Sequence, residues 1–135
     1  MIAPQIQSVH HIALLVRDLA ASEYFYGQVL GLPVLRRWPN PDERTERSIW
    51  FDLGQGAFLA VEVNPLPHQE TPEPSPPSGL HLLALGIARC DREAWRERLL
   101  RACYPCTEES PYTLYCRDPE GNRVGLSHWP EPATD

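Results

Sequence analysis

The sequence predicts an α+β fold made of two copies of one β-α-β-β-β unit. Three observations carry that prediction. First, Val9–Val16 and Leu80–Ile87 are the same apolar, strand-length run written twice, with His10 falling on His81 at an offset of 71 residues. Second, each copy leads within a few residues to an acid, Asp18 or Asp91, and then to a pattern of helical period. Third, each helical pattern is followed by short extended runs separated by turn residues. Self-similarity across half a chain marks a repeated supersecondary unit that buries its face against a neighbour. It also sets the functional question, because His11 of the first copy falls on Leu82 of the second.

Unit one is expected over 8–64. Its first strand lies near 8–17, and Asp18 is placed to cap a helix. Ala21, Phe25, Tyr26, Val29 and Leu30 share one face of that helix, and Gly31 stands in the usual C-terminal position. Strand-like runs follow at Leu32–Trp38, Arg47–Leu53 and Ala57–Val63, with turns at Pro39-Asn40-Pro41-Asp42 and Gly54-Gln55-Gly56. Residues 65–79 hold Pro65, Pro67, Pro72, Pro74, Pro76 and Pro77. Proline lacks the N–H that a ladder or helix needs, so this stretch reads as an extended linker.

Unit two is expected over 80–128. A strand at 80–88 leads to Asp91 and a helix carrying Trp95, Leu99 and Cys103 on one face. An extended piece near 104–108 precedes strands at Tyr112–Arg117 and Arg123–Ser127. The turn between these strands, Asp118-Pro119-Glu120-Gly121-Asn122, has proline and glycine to set the backbone and aspartate to cap it. Trp129 onward reads as a tail.

Composition bounds the partners. The chain has 135 residues, 42% hydrophobic, with a formal net charge of −6, which suits one compact domain or two small halves sharing a core. The balance argues against a nucleic-acid partner, since Arg36-Arg37 and the arginines of 92–101 are interleaved with acids and read as solvated faces. No apolar run approaches the ~20 residues that span a bilayer, and the first residues lack a signal-peptide pattern. The expectation is a cytoplasmic protein with no membrane partner. Cys90, Cys103, Cys106 and Cys116 fit free thiols. Cys103 and Cys106 form a C-x-x-C beyond a helix C-terminus, where the dipole has the wrong sign for a reactive thiolate.

Three stretches together resemble the vicinal oxygen chelate superfamily, which includes glyoxalase I, methylmalonyl-CoA epimerase, fosfomycin-resistance enzymes, extradiol dioxygenases and bleomycin-resistance proteins. They are His11–Leu19 running into Phe25-Tyr26 and Val29–Leu32, the strand ending Leu59-Ala60-Val61-Glu62, and Asp118–Arg123. The resemblance implies a curved, cup-like mixed sheet with helices outside and a pocket within. It is specific for fold and weak for reaction, because one scaffold hosts many activities. Metal-dependent members place one ligand on the first and one on the last strand of each unit, where the metal acts as a Lewis acid.

Strand alternation then sorts the candidate positions. Ile12, Leu14 and Val16 should pack on helices, leaving His11, Ala13 and Leu15 on the pocket side. His11 matches the family's first ligand and Glu62 its second, whereas the third and fourth positions fall on Leu82 and Gly125. Leucine has no lone pair and glycine no side chain, so one imidazole and one carboxylate would hold a divalent metal weakly. No tightly held cofactor is expected. Three readings stay open: a metal-free pocket using His11 and Glu62 as polar contacts or an acid/base pair, a metal site rewired through His81, His128 or a second chain, and a structural relic. His81 and His128 sit one residue off the ligand positions and so point to the helix side. His10, on that same side, reads as a partly buried structural histidine, and His68 as exposed. Trp50 or Phe51 and Tyr112 or Tyr115 are candidate aromatic walls, with Leu82 and Ser127 beside them.

The expected function is binding of a small organic molecule, in the manner of a sequestering or resistance protein. The rivals are a lyase or isomerase with Glu62 as general base beside His11, a dioxygenase-like enzyme, and a non-catalytic interaction module. A homodimer is expected, since a chain of this size buries a limited core.

Overall fold

Strand β1 (His11–Val16) ends one residue short of Arg17-Asp18, and the Asp18 carboxylate accepts the Ala21 N–H at 3.0 Å, starting helix α1 (Leu19–Glu23). The helix continues as a π-helical stretch over Tyr24–Val29, and Gly31, at φ 75°, ends it as expected. This computed structural model describes residues 4, 7–63 and 82–134; the proline-rich linker, His68, Leu80 and His81 lie outside them.

Strands β2 (Val34–Pro39), β3 (Glu46–Gly54) and β4 (Ala57–Val63) complete the first sheet in the order β1-β4-β3-β2. β1 runs parallel to β4 and the other pairs are antiparallel. Alternation works as predicted. Leu14, Val16, Ile49, Phe51, Leu59 and Val61 are buried with Phe25 and Tyr26 of the helix. Burying side chains of this kind contributes about 1.5–3 kcal/mol each. β2 starts two residues later than Leu32 and carries a register shift between Val34 and Arg36. That shift puts Arg37 on the helix side, where it pairs with Glu23 and Glu46. Arg36 lies over the Trp38 ring at 3.7 Å. The Arg36-Arg37 pair stays exposed, as expected from sequence, with its guanidiniums held by Glu23, Glu46 and the Trp38 ring.

The second unit has strand β5 (Leu83–Gly86), one 3-10 turn at Arg89–Asp91, helix α2 (Arg92–Arg101), and strands β6 (Glu108–Glu109), β7 (Thr113–Arg117) and β8 (Arg123–Ser127). Its sheet order, β5-β8-β7-β6, repeats that of the first, including a parallel outer pair. The fold is thus two β-α-β-β-β modules with curved mixed sheets, as the repeat predicted. Leu99, Leu114, Cys116, Val124 and Leu126 form the buried face of this unit.

Several local expectations need correction. Asp91 precedes α2, but its side chain caps nothing, because the 3-10 turn supplies the entry instead. Cys103 does not extend the apolar face: α2 ends at Arg101, and Cys103 is exposed with φ 68°. The extended piece after the helix pairs only at Glu108–Glu109. The segment after His128 is docked, not a loose tail, since the Ala133 N–H bonds the Pro111 carbonyl at 2.7 Å and Glu131 N–H bonds His128 O. The Asp118 turn forms as read, its Oδ1 accepting from the N–H groups of Glu120 and Asn122.

Candidate functional site

The face of the first sheet opposite the helix is organised in rows across the strands. Leu15, Glu62, Ser48 and Trp38 stand opposite one another in one row; Ala13, Ala60, Trp50 and Arg36 form the next; His11, Phe58 and Asp52 form the third. The rings run together along this face. The His11 imidazole stacks on Phe58 at 4.7 Å and 5°, Phe58 stacks on Trp50 at 4.3 Å, and Trp50 meets Trp38 at 5.3 Å. Of the two aromatic candidates on β3, Trp50 belongs to this face. Phe51 belongs to the core, fully buried near Tyr26.

His11 and Glu62 share the face, as alternation required, but they do not form a pair. His11 stands opposite Phe58, and Glu62 is four residues further along β4, about 13 Å at ~3.3 Å per residue. One water cannot bridge that gap. His11 is instead held by Phe58 and by His10, whose Nδ1 lies 2.9 Å from its own. His10 is exposed, contrary to expectation. It stands at the very end of the ladder, where its carbonyl accepts the Phe58 N–H at 3.2 Å and its ring lies against His11 and Phe58.

A cleft of about 140 Å³ opens in the first row, lined by Trp38, Arg47, Ser48, Trp50 and Glu62. Ser48 is buried at 3% exposure, and its hydroxyl has no hydrogen-bond partner. The indole N–H groups of Trp38 and Trp50 are likewise buried and unpartnered. Sequence reasoning missed Ser48 and Trp38. Ser48 was within reach, being in phase with Trp50 on β3, whereas the β2 register shift hid the phase of Trp38.

The equivalent face of the second sheet has Gly86, Ser127 and Thr113 in one row and Ala84, Gly125, Tyr115 and Glu108 in the next. Tyr115 lies on this face with Arg123 over its ring at 4.1 Å, while Tyr112 precedes the strand and packs against Trp129. Ser127 accepts a hydrogen bond from the Thr113 hydroxyl at 3.0 Å. Leu82 precedes β5, and a Cβ placed on Gly125 would lie 3.4 Å from its Cδ1 and 3.1 Å from Thr113 Cγ2. A side chain at position 125 would therefore press on Thr113, which would have to give by a few tenths of an ångström.

The two registers also test the ligand assignment. Ala84 faces Gly125 as Ala13 faces Ala60, so Gly125 corresponds to Ala60 and Ser127 to Glu62. Glu62 and Gly125 cannot both mark the last-strand ligand position. If Gly125 does, its mate is Ala60, and His11 is the one donor left among the four. Among the described residues no three His, Cys, Asp or Glu side chains gather to hold a metal ion. On that assignment the donor set does not fit the superfamily's metal site. His81 lies outside the described residues.

On the helix side of unit two, Arg92 is buried and reaches His128 Nε2 at 2.8 Å and the Ser110 carbonyl at 2.8 Å. His128 thus sits on the helix side, as its parity required, and Arg92 is not the solvated residue that composition suggested. Because Arg92 can only donate, His128 Nε2 accepts and its Nδ1 donates to the Glu131 carbonyl. Arg96 hydrogen-bonds Glu109 and holds that carboxyl below its ordinary range. A cleft of about 450 Å³ borders these groups, but its charges are already paired with one another.

A sequence model described as Glyoxalase/Bleomycin resistance protein/Dioxygenase superfamily matches residues 8–126. The chain belongs to that superfamily. A glyoxalase/dioxygenase from Nostoc punctiforme is 26% identical with a TM-score of 0.72, each chain covered over 97%. A lactoylglutathione lyase from Agrobacterium tumefaciens is 20% identical, TM-score 0.69, covering 93% of this chain and 96% of that one. A fosfomycin resistance protein, FosX, from Listeria monocytogenes, solved with Mn(II) and 1S,2S-dihydroxypropylphosphonic acid, is 16% identical, TM-score 0.68, covering 92% and 93%. The last two likenesses are of fold alone. A search of curated proteins finds no match. Among the described residues no helix is long and apolar enough to cross a membrane.

Proposed function

We propose that this superfamily member binds a small organic molecule on the aromatic face of its first sheet and does so without the superfamily's metal site. One observation carries the reading. With Gly125 taken as the last-strand ligand position, His11 is the one donor left among the four, while the same face of the first sheet carries the continuous run His11, Phe58, Trp50 and Trp38. An aromatic run with a few fixed polar groups suits a small, mostly apolar ligand. His11 and Glu62 then act as separate polar contacts at two ends of the face. Tyr115 and Ser127 lie on the equivalent face of the second unit's own sheet, with Leu82 beside Gly125.

Elemental analysis of untagged protein, paired with tryptophan fluorescence titrations against a small-molecule library, tests this. The expected result is no stoichiometric divalent metal and saturable quenching by at least one compound. About one metal per chain, removed by chelator with loss of ligand binding, overturns it. The proposal extends to a cytoplasmic homodimer. β1 and β2 are the edges of the first sheet, and Leu15 on β1 is 64% exposed. Light scattering that gives the monomer mass at micromolar concentration overturns the dimer.

A further inference from the structure

The repeat treats one position in two ways. In the second sheet Thr113 and Ser127 stand opposite each other and share a hydrogen bond at 3.0 Å. Their counterparts in the first sheet, Ser48 and Glu62, also stand opposite each other, yet the Ser48 hydroxyl is buried without a partner. The Glu62 carboxylate has no hydrogen bond or ion pair among the described residues. Trp38 and Trp50 add two buried, unpartnered N–H donors around the same 140 Å³ cleft. Buried donors without acceptors are costly, and native structures leave few of them.

The chemistry of this set selects a ligand. The cleft carries one charge of each sign, Arg47 and Glu62. An anion would satisfy the three donors but meet the Glu62 charge. A cation would meet Arg47 and leave the donors unmet. A neutral group that both donates and accepts answers both, as a hydroxyl or primary amide does. At roughly 30 Å³ per water-sized group, the cleft takes a fragment of about four or five heavy atoms. Trp50, itself stacked on Phe58, supplies a flat wall beside it.

We infer that the Trp38–Ser48–Glu62 cleft takes the primary amide or hydroxyl end of a neutral small molecule whose flat apolar body lies along Trp50. This rests on the small-molecule reading above and names the ligand class for that site. The test is an NMR titration of the full chain with benzamide, benzyl alcohol, benzoate and benzylammonium. The side-chain indole N–H signals are assigned from Trp38→Phe and Trp50→Phe variants.

Benzamide and benzyl alcohol should shift the Trp38 and Trp50 indole signals, and the two ions should not. Ser48→Ala should weaken benzamide binding about five- to tenfold, the loss of one hydrogen bond. It should leave the unfolding midpoint unchanged or raised, because the hydroxyl removed has no partner in the free protein. Glu62→Gln should admit benzoate. Stronger shifts from benzoate or benzylammonium, or full benzamide binding by Ser48→Ala, overturn the ligand class and leave the small-molecule reading standing. If no probe shifts either indole, both fall.

Discussion

Ser127 occupies in the second sheet the register position that Glu62 occupies in the first. Ser127 stands opposite Gly86 and Thr113, as Glu62 stands opposite Leu15 and Ser48. The two differ in what surrounds them. Ser127 accepts from Thr113 and donates to the Tyr112 carbonyl, whereas Glu62 borders an open cleft. Replacing Ser127 by Ala should therefore destabilise the protein by about 1 kcal/mol, the worth of a hydrogen bond with its partner left unpaired. Glu62→Gln should stay within about 0.5 kcal/mol of the parent, as surface-like changes do, while altering ligand binding. Urea unfolding of both variants checks this, and the opposite ranking would refute the division of roles.

His11 gives a second prediction from its exposed stack on Phe58. An aromatic pair is worth about 0.5–1.5 kcal/mol beyond its area, and less where water reaches it. His11→Ala should cost no more than about 1 kcal/mol and should weaken any ligand lying along the aromatic run. His11→Phe keeps the stack and removes the polar edge, so comparing the two separates packing from hydrogen bonding. A His11→Ala protein that no longer folds would make this a structural residue.

How much of this was legible beforehand follows strand parity. The repeat, the helix capped by Asp18 and the split between Leu14 or Val16 and His11 or Ala13 were all readable, because a paired strand turns every second residue inward. His10 misled because it lies at the very end of the ladder, where it stays exposed. Trp38 was missed because a register shift after Val34 changes the phase of β2. The distance from His11 to Glu62 was not legible at all: alternation reports the face, and only the β1–β4 register reports position along it. Arg92 was misjudged because composition counts charges and cannot see a buried carbonyl waiting for a donor.

Arg92 yields a third prediction. Its guanidinium donates to His128 and to the Ser110 carbonyl from a buried position. Arg92→Leu keeps much of the volume but strands both acceptors, and each hydrogen bond to a charged group is worth about 1.5–3 kcal/mol. A loss of roughly 2–4 kcal/mol is expected by chemical denaturation. Arg92→Lys should recover only part of it, since an ammonium cannot reproduce the planar fork. An Arg92→Leu protein as stable as the parent would mean that the cluster contributes nothing.

The last prediction concerns Cys116, buried between Leu114 and Val124 on the helix side of the second sheet. Burial first, then the charges of Cys106 and Asp118, push its thiol up to about 12 from an ordinary 9.0. The native state therefore keeps this proton where the unfolded chain has lost it. Below about pH 9 both states are protonated and the contribution to stability is constant. Between about 9 and 12 the unfolded state binds fewer protons, so stability falls as pH rises. The chain has twelve arginines and no lysine, so lysine amines do not titrate across that window. Unfolding free energies measured from pH 8 to 11 should decline, and Cys116→Ala should flatten the decline. In thiol labelling at pH 8 the exposed Cys90 and Cys103 should react readily and Cys116 only after denaturation. Rapid labelling of Cys116 in the folded protein would show that this face of the second unit opens to solvent.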